Sequence, residues 1–199
     1  GLYYPSVTTL LKLTDVEGQA ALTKWRTAVG EEMSSNITKR AVARGNKWHK
    51  FCESYIMGLP VWNSLTEPGD LTYASDLGHF LNTHIRQVVA SETRVVSTTY
   101  GIAGRVDLCV ELMDGRLAVV DFKTGRKPKS GQRVENYGIQ TTLYADALQS
   151  MVGRGIIDTI VIVQLCPKQL LWQESSTLQW VPLLEERVAR FAELVLAKL

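Results

Sequence analysis

Two aspartates and a lysine stand at spacings that suit metal chemistry. The stretches Gly104-Arg105-Val106-Asp107 and Asp121-Phe122-Lys123 lie on consecutive strand-like runs joined by a short turn. If both carboxylates face the same way, they form a site for a divalent cation with an ammonium group beside it. A cation held in this way turns a bound water into a nucleophile for attack on a phosphodiester.

The register of this hairpin decides whether the acids meet, because a slip of one residue moves every side chain to the other face. A two-residue Asp114-Gly115 turn would set Leu108 opposite Asp121 and Val106 opposite Lys123. Charge would then be mixed into the face that should be buried, so this register is disfavoured.

A three-residue loop over 113–115, with glycine in the left-handed position, leaves one face wholly apolar. The pairs on that face are Val106 with Phe122, Leu108 with Val120, and Val110 with Ala118. On the other face Asp107 is expected opposite Asp121, and Arg105 opposite Lys123, with paired Cβ atoms about 5 Å apart. Two carboxylates that close repel each other unless a cation lies between them, so we predict a divalent metal there.

The composition is that of an ordinary globular domain. With 199 residues, 45% of them hydrophobic and 21% charged, the chain is long enough for one core, and we expect a single domain over 1–199. A net charge of +2 does not by itself indicate a nucleic-acid partner. A local cluster of cations follows Lys123 in a stretch rich in Gly, Pro and Ser: Arg126, Lys127, Lys129 and Arg133. It predicts a mobile basic loop beside the metal face, with an inert solvated loop as the alternative.

The cysteines and the apolar runs bear on the compartment. Cys52, Cys109 and Cys166 have no paired spacing for zinc or iron-sulfur binding and no even count for disulfides, which favours a reducing compartment. No apolar run reaches the roughly 18 residues that span a bilayer, and the first residues lack the apolar core of a signal peptide. We therefore expect an intracellular protein.

Apolar periodicity predicts helices in the first half of the chain and strands after Glu92. The predicted helices are 15–29, 31–57 with a break, 75–89, 134–151 and 182–198. The predicted strands are an antiparallel meander of 93–99, 104–112 and 116–123, a central strand buried on both faces at 156–165, and shorter strands at 170–172 and 178–181.

Two pairs of residues with i, i+4 spacing accompany the acids. His49 precedes Glu53 by one helical turn, and Gln140 precedes Tyr144 in the same way. A neutral imidazole is a ligand for Mn²⁺ or Mg²⁺, and an amide with a hydroxyl suits a phosphate or a base. Taken alone, each pair also fits a surface ion pair, a partly buried histidine or a helix face that packs on the sheet.

Taken together, these motifs resemble the PD-(D/E)XK nuclease superfamily, and its RecB-type branch most of all. The motifs are Gly45…His49…Glu53, then 101–107, then 121–125, then Gln140…Tyr144. The resemblance covers about 40–145. The segments 5–9 and Trp25…Arg44-Gly45 extend it toward the amino terminus, where they resemble phage and mitochondrial exonucleases of that branch.

The resemblance implies an α/β (α+β) fold: a restriction-endonuclease-like core with a mixed central sheet, an antiparallel meander, flanking helices and a helical amino-terminal part. It implies one or two Mg²⁺ or Mn²⁺ ions, held by His49, Asp107, Asp121 and the Phe122 carbonyl, with Glu53 and Glu92 as further candidates. Lys123 would position or deprotonate the attacking water, and Gln140 and Tyr144 would orient the lysine or the substrate. The cysteine pattern does not match the iron-sulfur cluster of some relatives, so none is expected.

The implied activity is metal-dependent hydrolysis of DNA from an end, on single strands or duplex ends, in replication, recombination or repair. Arg105 and the basic loop would bind DNA, and Trp25, Trp48 and Tyr137 are candidates for stacking on bases. An exonuclease is preferred because the compact chain leaves no room for a sequence-reading domain. The alternatives are a structure-dependent endonuclease and a non-catalytic nucleic-acid-binding module. The expected location is the host cytoplasm for a phage enzyme, or otherwise the mitochondrial matrix or bacterial cytoplasm.

Overall fold

The computed structural model describes residues 4–61, 65–67, 69–152, 157–167 and 169–197. Within them, one mixed sheet has five strands in the order β1-β2-β3-β4-β5. The strands are β1 Ile85–Ser97, β2 Ile102–Leu112, β3 Leu117–Thr124, β4 Ile157–Cys166 and β5 Gln169–Ser176. Strands β3 and β4 pair in parallel, and the other neighbours pair antiparallel. This mixed sheet with its meander agrees with the predicted fold class.

Helices cover both faces of the sheet. They are α1 Val7–Thr14, α2 Val16–Val29, α3 Glu31–Ile56, α4 Asp70–His84, α5 Gln132–Val152 and α6 Val181–Leu196. On one face, α3 and α4 form a first core with side chains such as Trp48, Leu77, Leu108 and Val120. On the other face, α1, α5 and α6 form a second core with side chains such as Leu10, Leu143, Leu184 and Val119.

Local signals explain where several elements begin and end. The Ser6 side chain accepts a hydrogen bond from the Thr9 N–H at the start of α1, and Asp15 accepts one from Gly18 at the start of α2. Strand β4 is a β-branched run that is buried on both faces and paired on both edges, as predicted. Residues 156 and 198, predicted ends of β4 and α6, lie outside the described residues.

Most predicted elements are confirmed, and the errors lie where tertiary pairing outweighs local pattern. Helix α3 is continuous instead of broken, and α1 was not predicted. Helix α4 ends at His84 rather than near 89, because Ile85 already pairs with Leu112 in a long β1. The strand predicted at 178–181 is wrong. A 3-10 turn, Thr177–Gln179, occupies that place and leads into α6.

The β2–β3 hairpin has the predicted register from the turn to Leu108, but the ladder stops before the predicted pairs Val106–Phe122, Asp107–Asp121 and Arg105–Lys123. Leu108 pairs with Val120 and Val110 with Ala118, and the three-residue loop closes with Gly115 at φ 90°. The prediction of one wholly apolar face fails at its end. Val106 packs in the second core although Leu108, two residues on, packs in the first, so strict alternation does not hold across Asp107.

Candidate active site

Asp107 lies where the β2–β3 ladder stops. The paired residues extend from Glu111–Leu117 as far as Leu108–Val120, and the next link is made by a side chain: Asp107 Oδ2 accepts a hydrogen bond from the Phe122 N–H at 2.8 Å. The carboxylate thereby takes a place that a backbone carbonyl holds elsewhere in the ladder. This contact fixes Asp107 at the end of the hairpin and ties it to the strand that carries Asp121.

Three side chains from different elements converge at Asp107. His49 from α3, Glu92 from β1 and Asp107 from β2 each offer a ligand atom, and these atoms lie within 4.8 Å of one another. His49 Nδ1 is 3.3 Å from Asp107 Oδ1 and 3.7 Å from Glu92 Oε1. One imidazole and two carboxylates suit Mn²⁺ or Mg²⁺. The chemistry of this donor set therefore fits the predicted metal.

Glu92 is held in a strained backbone conformation. Its φ is 48°, and it is the one non-glycine residue with positive φ among those described. A residue in this region costs about 1 to 3 kcal/mol, and such residues cluster at functional sites. Its Oε2 lies 2.9 Å from Arg105 Nε in an ion pair. Burial and the charges of Asp107 and Glu53 raise the pKa of Glu92, while Arg105 and His49 oppose that rise.

Asp121 belongs to a second group that is centred on Lys123. Its Oδ2 lies 2.6 Å from Lys123 Nζ, and it is not part of the compact three-residue cluster. Lys123 Nζ also donates to Gln140 Oε1 at 3.0 Å, and Gln140 Nε2 donates to the Tyr144 hydroxyl at 2.9 Å. The lysine is thus held in place by an acid on its own strand and by a relay of side chains from α5.

Burial sets the electrostatics of both groups. Burial raises the pKa of Asp121 to about 6, and the nearby charge of Asp107 adds to the rise, against the pull of Lys123. For His49, burial lowers the pKa, but the hydrogen bond and charge of Asp107, with help from Asp121 and Glu92, outweigh it and leave the pKa raised. The raised pKa of Asp121 therefore comes first from burial and then from a second acid nearby.

A glycine makes room for the relay. A Cβ at Gly104 would lie 2.4 Å from Cε1 of Tyr144, a distance that forces one of them to move. The glycine of the Gly-Arg-x-Asp stretch therefore lets Tyr144 reach the site. Gly45 has no such constraint, since its nearest neighbour would be Thr124 Oγ1 at 3.7 Å.

The remaining predicted residues divide by location. Glu53 and Arg105 line the same open cavity of about 650 Å³ as His49, Glu92 and Asp107. Trp48 is 1% exposed in the first core, so the prediction that it stacks on bases is wrong. The Phe122 carbonyl remains a predicted ligand; its N–H is the group in contact with Asp107.

The basic loop is anchored at two points, in contrast with the predicted mobility. The Gly125 N–H donates to the Leu165 carbonyl at 3.0 Å. The side chain of Gln164 accepts from the Lys129 N–H at 2.7 Å and donates to the Lys129 carbonyl at 3.1 Å. Strand β4 thus holds the loop beside β3.

Arg40 and Arg44 on α3 were missed by sequence reasoning. Together with Arg126, Lys129 and Arg133 they line a second cavity of about 600 Å³ next to Thr124. Their i, i+4 spacing, which aligns them on one helix face, was the available signal. Lys127 is not among the residues that line this cavity.

The fold and the site define a class: a mixed α/β domain in which two carboxylates of the sheet and a histidine of a flanking helix form a cluster, with a lysine two residues after a buried aspartate. The family model of the PD-(D/E)XK nuclease superfamily matches residues 62–193, and the chain belongs to this superfamily. Among the residues that the structure describes, no helix is both long and apolar enough to cross a membrane.

Individual similar proteins also align with only part of this chain. The chain is similar to mitochondrial genome maintenance exonuclease 1 of Mus musculus, with 31% identity over 130 residues, and to that of Homo sapiens, with 29% identity over 134 residues. In both cases the match covers 63% of this chain and 38% of the relative, so the chain spans well under half of their length. The solved structure of SSO0001 aligns with a TM-score of 0.44 and 18% identity, over 87% of this chain and 67% of the other.

Proposed function

We propose that this protein is a divalent-metal-dependent DNA exonuclease that acts in a reducing intracellular compartment. The observation that carries the proposal is the meeting of two groups at the end of the β2–β3 hairpin. One is the His49–Glu92–Asp107 cluster, and the other is the Asp121–Lys123 ion pair. The exonuclease names of the curated relatives support action from a DNA end over internal cutting.

The residues that would hold the metal are His49, Asp107 and Glu92, with Asp121 beside them. Asp121 is 1% exposed, and its Oδ2 lies 2.6 Å from Lys123 Nζ. A carboxylate has about four lone-pair sites on its two oxygens, so an aspartate paired with a lysine can still take a metal ion. When bound, Mg²⁺ or Mn²⁺ would polarise the scissile phosphate and lower the pKa of a water.

Lys123 is the residue proposed to act on that water. As an ammonium group it would orient the water and stabilise the charge that develops on the phosphate, and as a neutral amine it would accept the proton of the water. Gln140 Oε1 accepts a hydrogen bond from Nζ, and the Tyr144 hydroxyl accepts one from the Gln140 amide. In-line attack would leave a 5′-phosphate and a 3′-hydroxyl.

The test is digestion of oligonucleotides labelled at the 5′ or the 3′ end, with Mg²⁺, Mn²⁺ or EDTA. The proposal expects stepwise shortening from one end with either metal and none in EDTA. Closed circular single strands should stay intact, and their cleavage would assign an endonuclease instead. Binding with no cleavage under any metal would indicate a non-catalytic nucleic-acid-binding module.

Asp121→Asn is the matched variant for this assay, because it keeps the shape of the side chain while removing its charge. It should leave the labelled strands uncut. Digestion at the wild-type rate by this variant would show that the metal site has been placed wrongly.

A further inference from the structure

A cationic groove lies beside the active site on the side of the basic loop. We use this name for the cavity of about 600 Å³ between α2, α3, the loop after β3 and the first turns of α5. Five cations and one large ring mark it: Arg40, Arg44, Arg126, Lys129, Arg133 and Trp25. No carboxylate is among the described residues that line it.

The cations of the groove are not paired with acids among the described residues. In the part that the structure describes, none of the five forms an ion pair. Arg44 gives the strongest indication of a missing anion partner, because its Nε is buried and has no hydrogen-bond partner among the described residues. A buried guanidinium nitrogen without an acceptor is costly, and an anionic ligand would remove that cost. The groove is therefore a site for anions.

The groove is continuous with the active site through β3. Thr124 and Gly125, which line it, directly follow Lys123. Tyr137 also lines the groove, and its ring centroid lies 5.1 Å from Lys123 Nζ. A DNA strand that extends from Lys123 on this side would therefore lie next to the arginines of the groove.

Trp25 supplies an apolar surface that the fold does not use. Helix α2 has no buried residue, and Trp25 belongs to neither core. Its ring is half-buried at the edge of the groove. A ring beside several unpaired cations suits a base attached to phosphates, since stacking on an aromatic side chain accepts any base.

We propose that the cationic groove holds the strand next to the scissile phosphate as an unpaired segment of about one or two nucleotides, since its volume is in the range of a small-ligand pocket. Arg40 and Arg44 bind phosphate oxygens, and Trp25 stacks on a base. This inference rests on the proposed function and deepens it. It assigns the preference for single-stranded over duplex DNA to α2 and the amino-terminal part of α3, which line the groove.

The first test measures binding in EDTA, where no cleavage occurs, by the anisotropy of a short fluorescent single-stranded oligonucleotide. Arg44→Gln should weaken binding roughly tenfold. The log-log slope of affinity against salt should become shallower by about 0.7 for each phosphate that the variant no longer neutralises. Lys39→Gln is the matched control, since it removes the same charge from α3 outside the groove lining, and it should bind as the wild type does.

The second test addresses the ring. Trp25→Ala should weaken binding to the normal strand more than to an abasic strand of equal length, whereas Trp25→Phe should keep most of the difference. A blunt duplex should bind more weakly than the single strand and depend less on Arg44. Equal binding of duplex and single strand, with an equal decrease in Arg44→Gln, would overturn the unpaired assignment.

The two proposals fail in different ways. If the wild type cuts DNA with metal while Arg44→Gln binds and cuts like the wild type, the groove proposal is wrong and the nuclease stands. If no metal supports cutting but Arg44→Gln still binds more weakly, the groove stands and the nuclease proposal is wrong. Thermal melting of Arg44→Gln should match the wild type, because the Nε that the substitution removes is buried and has no hydrogen-bond partner among the described residues, so misfolding would not imitate a binding defect.

Discussion

The active-site cavity and the cationic groove are nearly equal in size, about 650 and 600 Å³, but acids line only the first of them among the described residues. The first is lined by the three acids Glu53, Glu92 and Asp107 together with His49, Lys50 and Arg105, whereas the described lining of the second has five cations and no carboxylate. In our proposals the first cavity holds a metal ion and the second a phosphate chain. A domain with a net charge of only +2 would then bind a polyanion because its cations are clustered in one place.

Strand β3 forms the boundary between the two regions. The charge of Asp121 raises the pKa of His49, which lines the first cavity. Lys123 contacts Asp121, and Thr124, the next residue, lines the groove. The four consecutive residues 121–124 thus connect the active-site cavity with the cationic groove. Variants on either side of this boundary should separate cleavage from binding.

The largest expected effect comes from the acid that joins the cluster to the hairpin. Asp107→Asn should lower turnover by about 1,000-fold or more, because it removes a charged ligand of the proposed metal ion, whose charge stabilises the transition state. Binding of single strands in EDTA should stay within a few-fold of wild type. Rate measurement under single-turnover conditions, paired with anisotropy, checks both. A parallel decrease in binding would contradict the claim that cleavage and strand binding depend on separate regions.

Lys123→Gln should rank next, with a drop of roughly 100-fold or more in kcat. The amide keeps most of the length but neither carries a charge nor accepts a proton. Binding of Mn²⁺, followed by its electron paramagnetic resonance signal, should persist in this variant while Asp107→Asn abolishes it. Absence of bound Mn²⁺ in the lysine variant would mean that Lys123 supports the metal site itself.

Tyr144→Phe should cost less, about tenfold in kcat, since it acts through Gln140 on the lysine and not on the substrate. The substitution removes the hydroxyl that accepts from the Gln140 amide, while the ring that fills the space over Gly104 remains. KM for the oligonucleotide should hardly change. A rise in KM with unchanged kcat would instead place Tyr144 in strand binding.

The smallest effect concerns stability. The pKa of Asp121 is raised to about 6 in the folded chain from a usual 3.8, so the folded state binds more protons and its stability falls as pH rises through that interval. In EDTA, Asp121→Asn should therefore melt at a higher temperature than wild type at pH 8, and the gain should shrink toward pH 4. Thermal scans across pH measure this. A gain that is constant with pH would point to a cause other than the buried charge.

Sequence reasoning was strongest where a local pattern has one solution. The alternating residues of β2 and β3 admit one register that buries the apolar side chains, and Gly115 occupies the left-handed position that this register requires. It was weaker at the junction of α4 and β1, where helical spacing continues past His84 but pairing with β2 prevails. It placed a strand at 178–181, where Ser176 caps a 3-10 turn and Trp180 packs against Gly138.

By itself the sequence determined the types of residue at the site and their places along the strands: two aspartates, a lysine two positions after the second, and a histidine on a helix. The tertiary structure alone decided that the strained Glu92 joins His49 and Asp107, that Asp121 pairs with Lys123, and that α3 brings arginines to the basic loop. The reason is physical. Spacing along a strand or helix follows from backbone geometry, whereas the meeting of side chains from α3, β1 and β2 depends on how the helices pack on the sheet.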